Sequence, residues 1–364
     1  MSFMKQVLEP PSYGYVREGK LYVPTAREMF AEYRSRMNLF ATRKNWLPVF
    51  TQVLTMLLGV PFVVFLLYFF SWKLVVLGFF YSMVGMGSHG TVYLHRYSTH
   101  RAFRFRNKWW RMLCSNLVLK IVPEEVYVIS HHVHHKFSEQ PGDPYNVNAG
   151  GLYCFLADVN HQLLARNLTE REYEMAKRLL NHCDVPLNSY AQYQRWGSLS
   201  RVGPTIARHL LNWAFWYGAF YLIGGHALAV GLFASAAVWG VGIRTFNYAG
   251  HGAGKDRRKE GIDFNRADLS VNQIWPGFVA GEWHNNHHLY PNGSRAGFLP
   301  YQIDIPWYFI RTVSLLGGVV SFKDYKTDFH RDHYGPYLAR VKSAERPPLT
   351  AQPRLSSRRS SLHE

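Results

Sequence analysis

Three long apolar stretches of this 364-residue chain contain neither Lys nor Arg: 45–72, 74–94 and 209–243. They are dominated by Leu, Val, Phe, Tyr, Ala and Gly, and they constrain the fold more than any other feature. About 20 apolar residues in a helix cross the hydrocarbon core of a bilayer, and a helix satisfies its own backbone polar groups there. The first run carries Trp46 and Trp72 at its ends, where indole rings favour the membrane–water interface. Only Lys73 separates the first two runs, so they predict a helical hairpin. Gly224-Gly225-His226 interrupts the third run and predicts a second hairpin. The expected fold is therefore all-α and integral to a membrane, with spans at about 46–72, 74–94, 206–224 and 227–247.

Charge orients this arrangement. The chain has 41 Lys and Arg against 24 Asp and Glu, a formal charge of +17. Such an excess fits nucleic acid or an anionic membrane surface. The two tight turns hold one basic residue, Lys73, and nearly all others lie in the tails and the large middle segment. By the positive-inside tendency, the termini and the middle segment face the cytoplasm. The charge thus has a topological explanation, and no nucleic-acid partner is expected. Residues 1–44 read as a cytoplasmic segment without a cleavable signal peptide, residues 45–342 as the membrane domain, and residues 343–364 as a disordered tail rich in Pro, Ser and Arg. Cys114, Cys154 and Cys183 are sparse and unpaired in pattern, and read as packing residues in a reducing compartment.

Chemistry concentrates in three histidine clusters: His95-Arg-Tyr-Ser-Thr-His100, His131-His132-Val-His134-His135 and His284-Asn-Asn-His287-His288. The last two repeat H-x-x-H-H. On a helix, positions i, i+3 and i+4 share a face, so each pattern is expected to aim three imidazoles at one point. Imidazole is a common ligand for first-row transition metals, and eight such histidines exceed what one ion can use. Two redox metals in a nitrogen-rich site, suited to oxygen activation, are expected. The i, i+5 spacing of His95 and His100 does not fit one face of a regular helix, so the second span should end or bend there. His251 follows Asn247 by four residues and would share its face, with Asn247 orienting a metal-bound water. His132 is one step off its neighbours' face. Together with the lone His161, His182, His209, His226, His330, His333 and His363, it is read as a surface or core residue. The region 95–208 and the region 251–337 should be polar and largely helical, with 303–316 apolar on one face and suited to the membrane interface. There is no glycine-rich phosphate loop, no HExxH and no Ser/His/Asp arrangement.

These motifs, with HHVHHKFSEQPGDPYN over 131–146 and Asn247-Tyr-Ala-Gly-His251, resemble the integral-membrane fatty acid desaturases, specifically the group that includes acyl-CoA Δ9 desaturases. The resemblance covers about residues 45–320. It implies four membrane helices under a helical cytoplasmic cap and two iron ions on His95, His100, His131, His134, His135, His251, His284, His287 and His288, with Asn247 holding a water. It implies use of O2 and two electrons to oxidise unactivated C–H bonds of a fatty acyl chain in a closed apolar tunnel, with no catalytic residues beyond the ligands. The chain carries no fused cytochrome b5 pattern, iron–sulfur cysteine set or nucleotide fingerprint. Electrons are expected from a separate protein of ferredoxin, rubredoxin or cytochrome b5 type, docking on the basic face of a protein embedded in membrane lipids, here expected in a bacterial inner membrane. Animal-type acyl-CoA members carry an arginine two residues before the second box and an Arg pair after the Asp-Pro-His-Asn stretch. Here Ile129 and Asn148-Ala149 stand instead, which leaves open a free acid, a carrier-protein thioester or a lipid as acyl donor. A decarboxylase yielding 1-alkenes from free acids is the second enzymatic reading. A lipid hydroxylase and a non-catalytic metal-binding membrane protein complete the alternatives.

Overall fold

The computed structural model describes residues 3–161, 164–251 and 283–344. The described chain is mostly helical, with two small antiparallel strand pairs. Three helical stretches are long and apolar enough to cross a membrane: Arg43–Phe69, Trp72–Thr99 and Val202–Gly250. The first turn falls at Phe70-Ser71 rather than at Lys73. Ser71 is extended (φ −154°, ψ 132°) at the N-cap, so Trp72 and Lys73 open the second helix instead of ending the first. That second helix also runs past Leu94 to Thr99, because its last turns widen into a π-helix over Gly90–Thr99.

The third stretch is broken where expected. Gly224 (φ −149°) and Gly225 (φ 67°, ψ −168°) are non-helical. The chain reverses there: the Phe233 ring lies 5.9 Å from that of Trp213 and 5.6 Å from that of Tyr217. In a straight helix, residues 217 and 233 would be about 24 Å apart. The apolar helices pack closely through small residues. A Cβ on Gly78 would come within 2.9 Å of the Ser235 Cβ, which is the kind of backbone approach that brings helices together in lipid. Their outward faces stay apolar, with Leu67, Leu222 and Ile223 at 68%, 85% and 77% exposure.

The polar part is organised around the helix Glu124–Phe137. Pro123 starts it, Glu124 and Glu125 occupy its first turn, and His134, His135 and Lys136 its last, an order that suits the helix dipole. One face buries Val128, Ile129 and Val133 against Val7, Leu8, Tyr173 and Leu180. The helices Ala26–Arg36, Glu170–Leu180 and Tyr190–Trp196 each begin with a reciprocal capping box, from Thr25, Thr169 and Ser189. Glu125 accepts hydrogen bonds from the backbone N–H of Leu199 (2.8 Å) and Ser200 (2.7 Å), fixing the approach to the third apolar stretch.

Two devices tie the first histidine cluster to the third. Strand Phe103–Phe105 pairs antiparallel with Val319–Phe322, in the register Phe103↔Phe322 and Arg104↔Ser321. Arg96, fully buried, donates to the Ser294 carbonyl (2.6 Å) and to Asp304 (2.9 Å). Asp304 in turn accepts from Ala296 N–H and caps the helix Ile305–Leu315 through Trp307 N–H. That helix buries Trp307, Ile310 and Val313 and exposes Tyr308 and Leu315, the two-sided apolar pattern expected of an interfacial element. Residues 326–344 belong to a separate small helical unit that begins at Lys326. The expectations for His363 and for residues 345–364 of the tail lie outside the described residues.

Candidate metal centre

The nine histidines singled out in the sequence come together as two groups. His95, His100, His131, His135 and His287 form one; His134, His251, His284 and His288 form the other. Within each group the ligand-capable atoms lie within 4.8 Å of one another. Neither H-x-x-H-H pattern points at a single spot. His131 and His135 join the first group while His134 joins the second; His284 and His288 join the second while His287 joins the first. The cause is helical geometry. At 100° per residue, i and i+4 differ by about 40°, whereas i+3 lies about 60° to the other side. Each pattern therefore straddles both groups, two histidines to one and one to the other.

His95 and His100 are joined by the widened helix. In a π-helix the hydrogen bonds run i to i+5, here from His100 N–H to His95 C=O at 3.1 Å. An i, i+5 pair then sits on one face, and the two rings are 5.0 Å apart. The helix widens at this cluster rather than ending there.

The Nε2 atoms of His95, His131, His135 and His287 form a closed ring with edges of 2.9, 3.1, 3.0 and 2.9 Å. A square of that edge has its corners about 2.1 Å from its centre, which is the usual length of a metal–imidazole bond. Burial, and then the neighbouring imidazoles, hold His131, His135 and His287 well below the usual histidine range, so they are neutral at pH 7. A neutral imidazole has one N–H, and protons alone cannot serve all four edges; a central cation accepts every lone pair at once. In the second group His284 Nε2 lies 3.0 Å from His251 Nε2 and 3.1 Å from His288 Nε2. Burial likewise keeps His251 neutral. The donor sets fit two transition-metal ions.

Carboxylates brace the outward nitrogens. His134 Nδ1 is 2.9 Å from Asp143 Oδ1, and His251 Nδ1 is 3.2 Å from Glu139 Oε1. Each holds the tautomer that leaves Nε2 facing inward. Asp143 also accepts the backbone N–H of Glu139 and Tyr145 at 2.8 Å each. Glu139 adopts φ 60°, a strained conformation for a non-glycine residue, in the tight bend that returns Asp143 to the helix. Sequence reading missed both carboxylates, since they follow the helix end at Phe137 and helical spacing does not reach across it.

The histidines border a cavity whose wall includes His95, His131, His134, His284 and Asn247. The remaining wall is mostly apolar, with Ile121, Val126, Tyr127, Ile243 and Phe246. His132 joins neither group. His161 meets Tyr13, His209 bonds to Thr205 C=O, His226 meets Tyr217, and His182 contacts Tyr97 C=O. His89, which has no motif around it, lies 2.6 Å from Cys114 C=O in the core. Cys114, Cys154 and Cys183 are buried and free. Ile129 lies in the hydrophobic core, and no cation stands at Asn148-Ala149.

Comparison with known proteins agrees with this chemistry. Residues 70–316 match the family model "Fatty acid desaturase". The chain is 28% identical to the Δ9 acyl-lipid desaturase 2 of Arabidopsis thaliana, over 70% of this chain and 76% of that protein. It is 27% identical to the icosanoyl-CoA 5-desaturase of Limnanthes douglasii, over 70% and 67%. It is 29% identical to the hex-5-enoyl-[acyl-carrier protein] acetylenase of Moorena producens, over 66% and 73%. With the family model spanning more than half of the chain, this protein belongs to the fatty acid desaturase family.

Proposed function

We propose that this chain is an O2-dependent oxidoreductase that introduces a double bond into a fatty acyl chain, using two iron ions held by the nine clustered histidines. The observation that carries this reading is the pair of largely buried imidazole groups beside a mostly apolar cavity. Bound iron supplies the oxidising chemistry with O2. In net terms, one O2, two electrons and two protons accompany loss of two hydrogens from adjacent carbons and leave two waters.

The protein residues supply the rest. His95, His100, His131, His135 and His287 bind one ion, and His134, His251, His284 and His288 the other. Asp143 and Glu139 hold the imidazole tautomers, and Asn247 holds a water at the cavity wall. Tyr127, Ile121, Val126 and Phe246 exclude bulk water from the reacting carbons. Electrons come from a separate carrier of ferredoxin, rubredoxin or cytochrome b5 type at the basic surface. The hairpin at Gly224-Gly225 supports four membrane crossings, with both termini and the histidines on the cytoplasmic side. On that reading residues 1–44 lead into a membrane domain over 45–342, followed by a tail.

The test is mass spectrometry of products from hexadecanoic acid, its CoA thioester, its carrier-protein thioester and its glycerolipid ester, each with reductant and O2. An unsaturated product of unchanged carbon number supports the reading. No oxidised product from any of them, with iron bound, would refute it. Replacing His131, His134, His287 or His288 by Ala is expected to abolish turnover and lower iron content; a variant that keeps both would sink the ligand assignment.

A further inference from the structure

An arginine stands in the last apolar stretch, seven residues before His251. Arg244, Asn247 and His251 follow the i, i+3, i+7 rule, so they form one stripe on the helix that carries the last cluster inward. Arg244 lines the same cavity as His95, His131, His134 and His284. An ionisable side chain within a membrane-crossing helix is costly and marks a functional site by default.

Its partners are defined. Arg244 Nη1 donates to Asp158 Oδ1 at 2.8 Å, and Nη2 lies 2.6 Å from Asp158 Oδ2. Nη2 also reaches Thr55 Oγ1 at 3.4 Å, and Gln52 Nε2 donates to Asp158 at 2.7 Å. These contacts use at most three of the five guanidinium N–H groups, leaving two for a ligand in the cavity. Unlike the buried Arg96–Asp304 pair, this one lines the metal-facing space.

A second observation gives the direction of approach. Another apolar groove, between the first and last apolar stretches, is lined by Met56, Gly59, Phe62, Met83, Val238 and Val241. It shares Thr55, Phe155 and Arg244 with the metal-facing cavity. Met56, Val238 and Val241 are exposed on the surface that reads as lipid-facing. Arg244 therefore stands where a groove reachable from the bilayer meets the reaction cavity. An acyl chain dissolved in the membrane can enter there. A coenzyme A thioester, with its phosphates, has no cationic clamp at Ile129 or at Asn148-Ala149.

We propose that Arg244, held by Asp158, is the receptor for the carboxylate of a free fatty acid, which makes the unesterified acid the substrate class of this enzyme. A guanidinium offers a carboxylate planar, charge-assisted hydrogen bonds that an ester cannot match. The assignment rests on the acyl-oxidation reading above.

The test uses full-length protein in detergent micelles, with and without iron, titrated calorimetrically with hexadecanoic acid, its methyl ester and its CoA thioester. Wild type should bind the acid about tenfold more tightly than the ester. R244Q should lose that preference by weakening the acid alone. Because R244Q leaves Asp158 buried without its partner, the R244Q/D158N double variant, neutral at both positions, should show the same loss; R244K should keep part of the preference. Equal binding of acid and ester by wild type, a preference that survives R244Q and the double variant, or tighter binding of the CoA thioester than of the acid would overturn the carboxylate assignment while leaving acyl oxidation standing. Failure of wild type to bind any of the three would overturn both.

Discussion

Asp143 sits nine residues beyond His134 yet accepts its Nδ1–H at 2.9 Å, and two backbone N–H groups pin the carboxylate in place. This fixes the tautomer that presents Nε2 to the second group. Braces of this kind typically contribute 10- to 100-fold to metal affinity, so Asp143→Asn is expected to lower iron retention by about that range. Iron content after a graded chelator challenge measures it, and unchanged retention would show that Asp143 only shapes the loop. Glu124 is a different case, a buried carboxylate whose work is structural. Burial alone would raise its pKa, but Lys120, 3.2 Å away, and Arg208 override it and lower it to about 2. Its folded value lies below its unfolded one, so its contribution is complete above the ordinary glutamate range and fades only as pH falls toward 2. Glu124→Gln leaves Lys120 without its counter-charge at a cost of about 3 kcal/mol. The thermal midpoint in detergent should drop by the same amount at pH 6 and pH 8; a gap that closes between those values would contradict the assignment.

At the scale of elements, two departures from regular helix decide the geometry. The π-helical turns over Gly90–Thr99 bring His95 and His100 onto one face. The Gly224-Gly225 break turns one 49-residue helical run back on itself. Gly225 has φ 67° and ψ −168°, a region essentially closed to residues with a Cβ. Gly225→Ala should therefore cost about 1–3 kcal/mol and lower the detergent midpoint, whereas Gly203→Ala, where an added Cβ meets nothing, should be close to neutral. Equal effects of the two substitutions would mean that the turn is not strained. The glycine pair was legible in the sequence, because only a break accounts for Gly-Gly inside so long an apolar run. The widened helix was not, since α and π hydrogen bonding are set by what the helix packs against rather than by local composition.

For the whole molecule, the two histidine groups draw on four segments far apart in the chain: the end of the second apolar helix, the helix Glu124–Phe137, the end of the last apolar stretch and the helix His284–Leu289. Metal that binds only when these segments meet must stabilise their meeting. At a thousandfold excess over the dissociation constant, one bound ion adds about 4 kcal/mol. Protein stripped by chelation should melt at a lower temperature than iron-loaded protein, with a midpoint that climbs with iron concentration. Identical midpoints would argue that the imidazole groups hold no metal.

The sequence alone singled out the nine histidines that the fold brings together, eight by residue type and short spacing and His251 by its place after Asn247 and the family resemblance. It also determined where apolar helices lie, because their length and lack of charge follow from the bilayer as solvent. It could not determine how the ligands divide, since H-x-x-H-H admits both one focus and two. Helical geometry lets each pattern straddle two groups, and packing of the helices Glu124–Phe137 and His284–Leu289 against the π-turn sets which histidines share a group. Nor could it pair Asp143 with His134, Glu139 with His251 or Arg244 with Asp158, which are 9, 112 and 86 residues apart. Such pairings are long-range consequences of how buried polar groups find partners once the chain has folded, and no local pattern encodes them.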